Sequence, residues 1–100
     1  MINLEEAVME IIVNAGQSRS LCFEALQAAR DGSIEQAKSL LVEADGFARE
    51  AHKMQTKLIE QDAGEARQPM TLIMVHAQDH LMTSMLAREL SEEIIHLYQR

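Results

Sequence analysis

Punctuation is nearly absent from this sequence: one proline, Pro69, and four glycines in 100 residues. A β-sandwich or barrel of short strands needs frequent turn residues, so both are excluded. The residues that fill the chain instead, chiefly Ala, Leu, Met, Glu, Gln and Lys, are good helix formers. Long helices with few breaks are expected. The length suits one domain, taken as residues 1–100, and excludes a two-domain nucleotide enzyme. Only three residues are aromatic and none is Trp. The core must therefore come from Leu, Ile, Met, Val and Ala.

Two breaks divide the chain. The first is Arg30-Asp31-Gly32-Ser33. Gly32 stands where a helix end favours a left-handed residue. Ser33 can cap the next helix, with Gln36 as its capping-box partner. The second break, Gln61 to Gln68, ends at Pro69, a residue suited to the first turn of a helix. Three helices are expected, at about 3–30, 33–61 and 69–99. Their short links make antiparallel neighbours, so the fold class is all-α, an antiparallel three-helix bundle. No repeat, low-complexity tract or linker interrupts it.

Helix one carries Leu4, Val8, Ile11, Ile12, Ala15, Cys22, Leu26 and Ala29 at three-and-four spacing. Helix two carries Ile34, Ala37, Leu41, Ala44, Ala48, Ala51, Leu58 and Ile59 in the same manner. Gly16 and Gly46 fall inside these helices at a cost of about 1 kcal/mol each against Ala, which close helix approach could offset.

Helix three has more apolar surface than one bundle can cover. With each residue turned about 100° from the last, Leu72, Val75, Met82, Leu86, Leu90 and Leu97 all fall within about 60° of Asp79. Met70, Ile73, Met74, Ala77, Leu81, Met85 and Ile95 occupy the opposite arc. One stripe can face helices one and two. The other needs a partner, which argues for self-association through helix three. The plain alternative is a helix buried all round within one chain.

Asp79 interrupts the first stripe. A carboxylate there is costly unless paired, hydrated or bound to a cation. In a symmetric assembly its copies would meet at the axis and would have to share protons or recruit a metal ion. It could instead fix register, as Asn does in coiled coils, or simply be an exposed gap in an imperfect stripe.

His76 and His80, four apart, share one face of helix three, with His76 at the edge of the Asp79 stripe. Two chemistries fit. A His-x3-His pair can bind zinc if a carboxylate completes the site. A neutral imidazole can also attack phosphorus to give phosphohistidine. Bonding of Nδ1–H to the carbonyl of the preceding turn would leave Nε2 free to attack, with His80 and the Thr83 hydroxyl near the phosphoryl oxygens. The plain alternative is a chance pair of surface histidines. His52 and His96 read as surface or packing residues, and Cys22 as a core thiol.

Nine basic and sixteen acidic residues leave a net charge of −7. That balance argues against nucleic acid or anionic membrane as a partner. One cysteine excludes an intrachain disulfide and a Cys-rich zinc site. The start, Met1-Ile2-Asn3-Leu4, lacks a basic n-region, and no apolar run approaches membrane-span length. A cytoplasmic protein without membrane insertion is expected.

The run Val75-His76-Ala77-Gln78-Asp79-His80-Leu81-Met82-Thr83 resembles the active-site segment of the lactose/cellobiose-type enzyme IIA of the bacterial phosphoenolpyruvate-dependent sugar phosphotransferase system. The stretches Asn14 to Leu21 and Ala51 to Ile59, the latter running on to Gly64-Glu65, resemble it too. Chitobiose and cellobiose members look most similar. The resemblance implies three-helix protomers assembled as a homotrimer, a nine-helix bundle. It implies phosphorylation of His76 on Nε2, with Gln78 and His80 in supporting roles. It also implies one metal ion, magnesium or another divalent cation, shared by the trimer at Asp79. Phosphate would arrive from HPr and leave to a cysteine of the cognate enzyme IIB, which serves the membrane permease IIC. This phosphotransferase component would act in uptake of a β-linked disaccharide of the cellobiose, chitobiose or lactose class. The rival expectation is a structural or metal-binding bundle without turnover.

Overall fold

The computed structural model describes residues 3–65 and 67–100. Met1, Ile2 and Ala66, which fall in the expected domain span and the second expected break, lie outside the described residues. The chain forms three helices, α1 (Leu4–Arg30), α2 (Ile34–Ala63) and α3 (Leu72–Tyr98), and no strand among the described residues. The all-α expectation holds.

The helix ends show local chemistry overriding two expectations. At the first break the Gly32 N–H donates to Ala29 O at 3.0 Å and the Ser33 N–H to Ala28 O at 2.8 Å. This paired closure needs a left-handed residue, and Gly32 supplies it at φ 88°. The Ser33 amide is thereby already bonded. The expected capping box does not form, and the Ser33 side chain makes no cap bond. At the second break α3 begins later than Pro69 suggested. Thr71 is the N-cap, its hydroxyl oxygen accepting from the Met74 N–H at 3.2 Å. A side-chain acceptor satisfies a free helix donor, which proline cannot do. Ahead of it, the Gln68 N–H donates to the Asp62 carboxylate at 2.7 Å and tethers the loop to the end of α2.

Two apolar clusters form the core. One joins Val8, Ile11 and Ala15 to Ala51, Leu58, Met74, Ala77 and Leu81. The other joins Cys22, Ala25 and Ala29 to Ala37, Leu41, Ala44 and Ile95. A polar layer lies between them in sequence on all three helices. Ser18 and Ser84 are fully buried, and the Ser84 hydroxyl donates to Leu81 O at 2.8 Å. In the same stretch Arg88 donates to both Asp45 oxygens, at 2.7 and 3.0 Å, tying α3 to α2. The Asp45 bond, aided by the nearby acidic charge of Asp45 and Glu92, holds the Arg88 guanidinium above its ordinary pKa despite desolvation. Both partners stay partly wetted, at 20% and 34% side-chain exposure. Arg88→Met is expected to cost only about 1–2 kcal/mol. A thermal melt should then shift down by about 4–8 °C per kcal/mol.

Cys22 is fully buried, and burial pushes its thiol above the ordinary range, partly opposed by Arg88 and a bond with Ser91. The core-thiol reading is supported. A thiol-specific reagent should label the native protein negligibly and the guanidinium-unfolded protein fully. Because the folded thiol holds its proton longer, the unfolded chain loses its proton first as pH rises. Stability should therefore decline above about pH 8.5, measurable by denaturant titration at neutral and alkaline pH.

The bundle is long and thin, 51 × 19 × 16 Å. Its accessible surface is 6490 Å², against about 5,700 Å² for a typical folded monomer of this mass. Ile59, assigned to the helix-two stripe, is instead 57% exposed, having rotated past the Leu58 contact. Gly16 is not explained by close packing either: a Cβ built there meets nothing within 4 Å. No helix among the described residues is long and apolar enough to cross a membrane.

Candidate functional site

The two stripes of α3 meet different fates. Met74, Ala77, Leu81 and Ile95 are buried against the other helices. Met70 and Ile73, expected with them, are exposed, because Met70 precedes the helix and Ile73 lies in its first turn. The Asp79 stripe is open to solvent along the whole helix, from Val75 at 40% to Leu72 at 86% exposed. Within one chain, a helix buried all round is excluded. Asp79 itself is exposed in the middle of this apolar seam.

The flanks of the seam carry the polar groups. On the α1 side, His76 is exposed and His80 half-buried. Their rings meet edge to face, with centroids 4.5 Å apart and planes at 88°. This contact limits how His76 can turn while leaving it reachable. A bond from Nδ1–H to a preceding carbonyl, one way of freeing Nε2, does not occur among the described residues; the ring's contact is with His80. Thr83 is also differently used. Its hydroxyl donates to Asp79 O at 2.7 Å, with His80 O at 3.3 Å, so its proton is committed to the helix backbone.

Gln78 lies on the opposite flank, towards α2. Its side-chain carbonyl accepts from the Gln55 amide, and its own amide lies 3.8 Å from the Met74 sulfur. The fold thus brings His76 and His80 together and holds Gln78 apart from them within one chain. Gln55, buried at 8% exposure, escaped the sequence reading. Its signal was a polar residue inside the stripe of Ala51 and Leu58.

Two grooves adjoin the segment of α3 from Val75 to His80. One, of about 340 Å³, is lined by Leu58, Ile59, Met70, Val75, Gln78 and Asp79 among others. It continues the seam towards α2. The other, of about 410 Å³, lies between α1 and His80 and includes Gly16, Arg19, Ser20 and Phe23. No group of three or more His, Cys, Asp or Glu side chains suited to a metal occurs among the described residues. A three-ligand zinc site at the histidine pair therefore does not assemble within one chain. His52 and His96 are both exposed.

The profile of the family described as PTS system, Lactose/Cellobiose specific IIA subunit, matches residues 6–99. The chain belongs to this family. The N,N'-diacetylchitobiose-specific EIIA component of Escherichia coli K12 is 53% identical over 97 residues, which span 97% of this chain and 84% of that protein. The lichenan-specific enzyme IIA component of Bacillus subtilis is 42% identical, over 97% of this chain and 88% of that protein. Among solved structures, the cellobiose-specific enzyme IIA of Bacillus anthracis superposes with a TM-score of 0.93 at 37% identity, covering 99% of this chain and 92% of that one. The chitobiose IIA in its complex with HPr, from Escherichia coli, gives 0.85 at 50% identity, with 99% and 96% coverage. This IIA chain therefore shares fold and family with components of the sugar phosphotransferase system.

Proposed function

We propose that this IIA is a phosphocarrier that accepts a phosphoryl group on His76 from phospho-HPr and passes it to a cysteine of a cognate enzyme IIB. The observation that carries the reading is the His76 ring, exposed on the rim of the α3 seam and braced by His80. A carrier serving two proteins in turn needs a reachable nucleophile more than an enclosed pocket. The HPr complex of the chitobiose relative supports the donor.

The chemistry needs little from the chain beyond position. The lone pair on His76 Nε2 attacks phosphorus as the P–N bond of the donor phosphohistidine breaks. The electron pair of that bond returns to the donor ring, which leaves as a neutral imidazole. In the second transfer a IIB thiolate attacks phosphorus, and the new P–N pair returns to His76. No oxidant or further reactant is required. Catalysis rests on in-line placement and stabilisation of the equatorial oxygens, with His80 holding the acceptor ring.

The reading includes a homotrimer, a nine-helix bundle packed through the α3 seam. The exposed leucines of the seam support it, together with a surface larger than a monomer of this mass usually shows. About a threefold axis the His76 flank of one α3 faces the α2-side flank of the next. That arrangement would turn the neighbour's Gln78 flank towards His76.

Three copies of Asp79 would meet on the axis. Their carboxylate oxygens fit a hard divalent cation such as magnesium, one per trimer. One chain offers a single carboxylate there, so the fit depends on assembly. Such an ion would neutralise the like charges and takes no part in the transfer. The carrier works in the cytoplasm in this reading, upstream of the membrane permease IIC. Its sugar belongs to the β-linked disaccharide class suggested by the chitobiose, lichenan and lactose relatives. Incubation with phosphoenolpyruvate, enzyme I and HPr tests the proposal. One acid-labile phosphate per chain is expected, and no incorporation would leave only a structural bundle.

A further inference from the structure

We infer that Arg19 is the cation that meets the phosphoryl group on His76, through the groove between α1 and α3; the inference rests on the phosphocarrier reading above. The groove, about 410 Å³, brings Arg19 and Ser20 of α1 to the same wall as His80 of α3. His80 is in ring contact with His76, so the groove opens beside the acceptor imidazole.

Arg19 is set up differently from the structural arginine of this fold. Arg88 is paired with Asp45 and Glu92. Arg19 has no ion pair among the described residues. Glu24, the carboxylate that shares its groove, forms no salt bridge with it; the salt bridges among the described residues are Lys38–Glu35, Arg88–Asp45 and Arg88–Glu92. The Arg19 guanidinium lies instead over the Phe23 ring, 5.7 Å from its centre. An aromatic face orients a guanidinium without neutralising it. The charge and its fork of donors remain available to an anion.

Gly16 lines the same groove, and the space above it is open, since a Cβ built there meets nothing within 4 Å.

Charge supplies the need. The chain carries −7, and phosphorylation adds a further dianionic group. Phosphoryl transfer spreads charge onto three equatorial oxygens, which arginine forks and hydroxyl donors stabilise. Arg19 and Ser20 present these two donor types on one wall. Arg19 makes and breaks no covalent bond in this role. It keeps its protons and donates N–H bonds to the phosphoryl oxygens while P–N bonds exchange as described above.

The test compares wild type, Arg19→Gln and Arg19→Lys as full chains. Transfer from phospho-HPr is followed at saturating and subsaturating donor, and the phosphohistidine is observed by ³¹P NMR. Arg19→Gln should lower the saturating rate about tenfold or more, with a moved phosphohistidine resonance and an unchanged helical melt. Arg19→Lys should recover part of the rate. An unchanged saturating rate, or a change confined to the half-saturating concentration with the resonance unmoved, would overturn the inference, because Arg19 would then serve docking or nothing. Failure of the wild type to take up phosphate would bring down the carrier reading itself, a result visible before any Arg19 variant is made.

Discussion

His76→Ala is expected to reduce phosphoryl incorporation to background while leaving the protein folded. The imidazole is exposed, and its recorded contact is the ring of His80. Its loss should change stability by no more than about 0.5 kcal/mol. The chemical loss is total because a carrier cannot use bound water or a distant group in place of the nitrogen that forms the P–N bond. His80→Ala is expected to behave differently. It removes the brace and leaves the nucleophile, so labelling should slow without disappearing. Labelling with phospho-HPr, followed by acid treatment and peptide mapping, separates the two. Label that survives in His76→Ala and vanishes in His80→Ala would place the acceptor on the wrong histidine. Label lost equally in both variants would mean that the pair acts as one unit, and the division of roles proposed here would not stand.

The parts of this protein legible in its sequence are those fixed by periodicity. Val8, Ile11, Ala15 and Leu81 recur at helical spacing and are buried. The two stripes of α3 could be separated because Asp79 marks the middle of one of them. Gly32 announced its turn because few other residues tolerate φ 88°. Where two local signals competed, spacing could not decide. Pro69 and Thr71 both suit a helix start, and the side-chain acceptor of Thr71 won. Ser33 looked like a capping-box residue until its amide was taken by Ala28. The histidine pair was legible as a pair, but its surroundings were not. Arg19 and Ser20 reach the groove beside His80 from a helix more than fifty positions away, and no pattern within one helix encodes such a meeting. Gln78 shows the converse. It sits two residues from His76, yet helical rotation carries it to the other flank and into a bond with Gln55.

A charge placed in the seam is expected to break the assembly, and removal of the native charge to preserve it. Leu86 is 55% exposed in the single chain and would be covered in a trimer packed through α3. Burying each such leucine contributes about 1.5–3 kcal/mol, and the symmetry counts it three times. Leu86→Glu removes that gain and adds three unpaired carboxylates to an apolar contact, a further cost at each copy. Sedimentation or light scattering at micromolar concentration should then show monomers where the proposed assembly predicts a trimer for the wild type, with helicity kept, because the core clusters do not include Leu86. Asp79→Leu tests the opposite sign. It extends the apolar ladder and deletes three like charges from the axis, a class of exchange that is often neutral or stabilising by about 1–4 kcal/mol. The trimer should persist and melt at the same temperature or higher. Chelation tests the proposed cation: if it bridges the Asp79 carboxylates, EDTA should weaken wild-type self-association and leave that of Asp79→Leu unaffected. A monomeric Asp79→Leu protein would reverse the order of causes, since the carboxylates and their ion would then hold the copies together while the leucines merely filled the space between.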